Sequence, residues 1–121
     1  MNSAISRLVG ALALCCVVWL AKAEEAQNPQ AKAADFASCA AYYFNAVNVK
    51  PMKEYETVYG AGERAFNEGI KLVGRKQLDD LMARSSGEMS KLMGADWKNF
   101  RIVDQRYGAD CEALMATVPV E

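Results

Sequence analysis

The chain has 121 residues, no histidine, and 14 basic against 15 acidic side chains, a formal net charge of −1. Without histidine there is no Ser-His-Asp or Cys-His nucleophile and no His-ligated metal or haem site. No C-x-x-C, phosphate-loop or G-x-G-x-x-G motif occurs, and the charge balance lacks the basic footprint of a nucleic-acid binder.

From the amino terminus, Met1 to Arg7 is short and polar, and Leu8 to Leu20 is an unbroken apolar run of 13 residues. Ala21-Lys22-Ala23 follows, with small residues at the two positions a signal peptidase reads. This order predicts a secretory signal peptide over residues 1–23, cut before Glu24. The apolar run is shorter than the roughly 20 residues a helix needs to cross the hydrocarbon core. Processing removes Arg7 and Lys22 but no acid, so the mature part carries twelve basic and fifteen acidic residues, a net of −3.

Two of the four cysteines, Cys15 and Cys16, leave with the signal segment. Cys39 and Cys111 remain, an even count suited to one disulfide in an oxidising compartment. Closing a loop of 72 residues contributes roughly 4 kcal/mol in the chain-entropy model. With no neighbouring histidine to lower a thiol pKa, the pair reads as structural.

Residues 24–34 hold Glu, Gln, Asn, Pro29 and Ala without an apolar stripe, which predicts a flexible leader. Residues 35–121 form the expected helical domain. Its first helix covers about Ala33 to Val49, with Phe36, Cys39 or Ala40, Tyr43 and Val47 on one face. Pro51 stops it and suits the first turn of a second helix reaching Val73, whose stripe includes Tyr55, Tyr59, Gly62, Phe66 and Gly69. Gly74 is an exit. A third helix, Lys76 to Met93, aligns Leu78, Ser85, Met89 and Leu92, and Ser85-Ser86-Gly87 is its weakest point. Gly94 closes it, and Asp96 is a capping residue for a fourth helix ended by Pro119. There Trp97, Phe100, Val103, Tyr107, Cys111, Leu114 and Val118 recur at three and four residues.

No stretch alternates with period two. The expected fold is therefore all-α, a small antiparallel four-helix bundle with one disulfide joining the first and last helices. Trp97, Phe100, Tyr107, Leu114, Phe66, Tyr55, Phe36 and Tyr43 are its expected core.

Few residues stand outside this plan. Asp104 falls within the apolar arc of the fourth helix and needs a cation, with Arg101 one turn away. Gly62 and Gly69 each cost roughly 1 kcal/mol against alanine in a helix, so close packing or a ligand hollow must offset them. Tyr42-Tyr43-Phe44 cannot all face one core, because successive helical residues turn by about 100°. Tyr43 takes the inside, leaving Tyr42, Phe44 and Ile102 as candidate partner-binding residues, with Arg101 and Arg106 at the rim. The expected function is an exported small binding or inhibitory protein, periplasmic or secreted, acting through a recognition surface without catalysis, cofactor or metal. Its partner would be another exported or envelope protein, not a nucleic acid, and no stable membrane span would remain after processing. A second reading is a small-ligand carrier using the bundle interior beside Gly62 and Gly69.

Overall fold

The computed structural model describes residues 28–120; the expected signal segment 1–23, the start of the expected leader and Glu121 lie outside the described residues. All regular structure among the described residues is helical. Helix α1 spans Pro29–Ala46. A 3-10 turn at Met52–Glu54 leads into α2, Tyr55–Val73. Helix α3 is Arg75–Met93, and a second 3-10 turn at Trp97–Asn99 leads into α4, Phe100–Met115.

The ends of these helices follow local chemistry. The Asn28 side chain accepts the Gln30 N–H at 2.9 Å, and Pro29 occupies the first turn, where its missing N–H costs nothing. This cap starts α1 ahead of the expected Ala33, so residues 29–34 of the expected leader are helical. Gly74 (φ +82°) breaks α2 from α3, and Gly94 (φ +61°) ends α3 in the left-handed conformation that glycine adopts without penalty. Asp96 caps the second 3-10 turn by accepting the Lys98 N–H at 3.0 Å. The Ser85-Ser86-Gly87 stretch does not interrupt α3. Ser85 is buried and its hydroxyl pairs with that of Ser38 on α1 at 3.0 Å.

Side-chain pairs give the directions of the helices. Gln30 meets Gln77, Ser38 meets Ser85 and Asn45 meets Met89, so α1 and α3 run the same way. Tyr42 meets Phe100 and Asp104 while Cys39 meets Cys111, so α4 runs against α1. The Cys39–Cys111 disulfide joins α1 to α4 with the two Cα atoms 5.3 Å apart. The loops 47–54 and 94–99 therefore share one end of the bundle.

Helix α1 touches all three other helices, and α2 most extensively. Its buried residues are Ala33, Phe36, Ala37, Cys39, Ala40, Ala41, Tyr42 and Ala46, which encircle the helix instead of forming one stripe. The other helices bury narrower sets, such as Leu78, Ser85, Met89 and Met93 on α3. Phe36 and Phe100 lie in the core as expected, and Tyr43, Phe66, Tyr107 and Leu114 are half-buried against it. Tyr55 and Trp97 do not belong to it: they are 44% and 45% exposed. Tyr55 opens α2 just after one 3-10 turn and Trp97 opens the other, beyond the layer that α1 can cover.

The two glycines of α2 are explained by packing. A Cβ at Gly62 would lie 2.7 Å from Cε1 of Phe44, and one at Gly69 would overlap the methyl groups of Leu78. Those side chains fill the space that a ligand hollow would need.

Three stability changes follow. Replacing Cys39 and Cys111 together by Ser should cost about 2–4 kcal/mol and lower the thermal midpoint by on the order of 10–20 °C, as calorimetry will show. Gly87→Ala faces open space and should raise stability by up to about 1 kcal/mol. Gly69→Ala should instead lower it in urea titrations, because Leu78 is fully buried and has nowhere to move.

Candidate functional site

The three consecutive aromatics near the end of α1 organise that end of the molecule. Tyr42 turns toward α4, where its ring stacks on Phe100 at 6.0 Å, and Trp97 continues the run at 6.4 Å from Phe100. Phe44 turns toward α2, with its ring 5.4 Å from Tyr59, which stacks on Tyr55 at 5.6 Å and 7° between planes. Tyr43 lies between them, edge-on to Tyr42 at 5.1 Å. The 100° turn per residue thus sends neighbouring side chains to two different helices.

Tyr42 is 5% exposed and belongs to the core, which removes it from the candidate surface. Its position on α1 would face solvent in a helix covered on one side only; here α4 covers it. Its hydroxyl donates to Asp104, and Lys50 Nζ lies 3.6 Å from the same carboxylate oxygen. The cation that serves Asp104 therefore comes from the α1–α2 connection, and Arg101 is exposed. Phe44 and Ile102 are half-buried, but the ring contacts of Phe44 lie on α2, not across the disulfide-linked pair α1 and α4. Arg106 is exposed and stands 5.8 Å over the Tyr107 ring. Arg106 lies beside Cys39 and Cys111 on an open groove of about 670 Å³. The expected single platform is accordingly divided between separate faces.

A different surface takes its place. The large apolar residues most exposed among the described residues are Val49, Met52, Tyr55, Tyr59, Trp97 and Val120. All but Val120 lie at the end of the bundle that carries the loops 47–54 and 94–99. Met52 is 87% exposed, and with Lys53, Tyr55 and Glu56 it borders a recess of about 430 Å³. Periodicity placed Tyr55 and Tyr59 on an inward stripe and Trp97 in the core. The position of Tyr55 shortly after Pro51, and that of Trp97 directly after the capping Asp96, are the available signs that these rings lie at the edge of the packed layer.

Burial pushes the Tyr42 phenol well above its ordinary value, reinforced by its hydrogen bond to Asp104 and the charge of that carboxylate. Tyr43 is raised chiefly by burial and then by Glu112, with Arg64 opposing. Asp35 is raised by burial and by Asp110. Among the described residues no group of three or more Cys, Asp or Glu is placed to hold a metal ion, and no helix is long and apolar enough to cross a membrane.

No protein-family model matches the chain, and no curated protein or solved structure was found to resemble it significantly.

The tyrosines make stability depend on alkaline pH. Below about pH 10 each phenol is protonated in both the folded and the unfolded chain. Above that, the unfolded chain loses protons that Tyr42 and Tyr43 retain when folded, so stability falls as pH rises. Urea midpoints between pH 8 and 11 should record this fall, and Tyr42→Phe should flatten it, leaving the share of Tyr43. At neutral pH the same substitution should cost about 1.5–3 kcal/mol for the lost hydrogen bond to a carboxylate.

Proposed function

We propose that this is an exported binding or inhibitory protein that acts through the apolar end of its bundle and performs no catalysis. The observation that carries this reading is the concentration of Val49, Met52, Tyr55, Tyr59 and Trp97 at one end of a small helical domain. Apolar side chains exposed together, unlike ones scattered singly, mark recognition surfaces. The rings support one another: Tyr55 stacks on Tyr59, and Phe44 of α1 packs against Tyr59. Such anchors lose little conformational entropy on binding, and tyrosine and tryptophan dominate binding energy at interfaces.

The partner is another exported or envelope protein that offers an apolar side chain to the recess beside Met52. Export rests on the signal-peptide pattern of residues 1–23 and agrees with the Cys39–Cys111 disulfide, which suits an oxidising compartment. The mature chain begins at Glu24 and is periplasmic or secreted.

The test has two parts. Mass spectrometry of the exported protein should find Glu24 at the amino terminus; an intact Met1 would refute the processing. Met52→Ala and Tyr55→Ala should each weaken capture of the native partner from envelope extract by about tenfold or more, with thermal midpoints within a few degrees of the parent. Capture unchanged by both substitutions would overturn the recognition surface.

A further inference from the structure

The disulfide borders an open groove at the side of the bundle, remote from the apolar end. Cys39 and Cys111 form part of its wall, together with Asp35 on α1, Glu88 on α3, and Arg106 and Asp110 on α4. The two cysteines are 4% and 1% exposed, and the groove brings solvent up to both of them. Three carboxylates line it against one guanidinium, a formal excess of two negative charges. Asp35 and Asp110 face each other closely enough that the charge of Asp110 holds the Asp35 proton more tightly, adding to the effect of burial.

We propose that this groove selects which thiols can open the Cys39–Cys111 bond, repelling anionic thiols and admitting those that carry a compensating cation. The attacking species in disulfide exchange is the thiolate, which is itself negative. Its sulfur attacks one cysteine Sγ, a new S–S bond forms, and the Cys39–Cys111 bond breaks. The departing cysteine takes the electron pair as a thiolate and gains a proton from water. A second reagent thiolate then attacks the mixed disulfide, so two thiol molecules supply the two electrons and leave as their own disulfide. Each step brings a negative charge toward Asp35, Glu88 and Asp110. Two extra negative charges on the reagent make the approach unfavourable by on the order of tenfold at low ionic strength, and salt screens that difference. The disulfide is thereby guarded by charge as well as by burial, whatever partner the apolar end binds.

The experiment compares cysteamine, whose ammonium balances its thiolate, with 2-mercaptoethanesulfonate, which attacks as a dianion. Opening of the bond in the folded, processed protein is followed by alkylation of the freed thiols and mass measurement. Each rate is divided by the rate for the same protein unfolded in urea, which removes the intrinsic difference between the two reagents. The normalised rate should favour cysteamine by about tenfold or more at low salt and approach equality at about 1 M salt. Asp35→Asn and Asp110→Asn should each reduce the preference by several-fold. Equal normalised rates at low salt would overturn the proposal, because reduction would then proceed through unfolding. A preference insensitive to both salt and these substitutions would also overturn it, since size and not charge would be the cause. Failure of cysteamine to open the folded protein at all would overturn it as well.

Discussion

The fold depends on α1 being narrow enough to be surrounded. Five of its eight buried residues are alanine, and they occur around the helix instead of along one line. Small side chains let neighbouring helices approach closely, and three helices make contact with this one. A helix covered on several sides has no solvent face to spend on charge, and between Asp35 and Lys50 α1 carries no charged residue. The peripheral helices then need only a modest buried stripe each. Leu78 on α3 reaches the backbone of α2 at Gly69, and Phe44 on α1 reaches it at Gly62.

This arrangement explains the polar contacts that cross the interior. Tyr42 is forced inward by the cover over α1, and a buried hydroxyl requires a partner. Asp104 supplies it from α4, and Lys50 supplies a counter-charge from the connection to α2. One carboxylate thus links three parts of the chain, close to the end where Phe100 and Trp97 stack. The Ser38–Ser85 pair plays a smaller version of the same role between α1 and α3. The disulfide secures the contact between α1 and α4 farther along the bundle, where the interface opens into the acidic groove.

The same geometry accounts for the apolar end. Side chains in the connections and first turns lie beyond the reach of the central helix, so Met52, Tyr55 and Trp97 remain in solvent despite their apolar surface. Leaving Met52 exposed forgoes most of the about 1.5–3 kcal/mol that burying a large apolar side chain returns, and Tyr55 and Trp97 forgo part of it. A small domain has little stability to spare. The recognition surface proposed above requires such residues together at one end.

Much of the architecture was legible in the residues. Helical spacing, with the breaks at Gly74 and Gly94 and the capping Asp96, located α2, α3 and the start of the last helical region within a few residues. The single pair of cysteines outside the expected signal segment named the disulfide. The start of α1 at Pro29 is not legible from periodicity, because the polar composition of 24–34 conceals the Asn28-Pro29 cap. The candidate surface was far less legible. Periodicity tells which residues of a helix lie on one side; it does not tell how many sides are covered or where along its axis the cover ends. Periodicity leaves Tyr42 outside a single buried face of α1, and it places Tyr55 and Trp97 on buried stripes as if the cover reached the first turn of each helical region. Those two facts, the number of neighbours around α1 and the limit of packing at the bundle's end, belong to contacts between residues far apart in the chain. Local sequence therefore determined the helices and the covalent link, whereas only the tertiary structure decided which aromatics became core and which became surface.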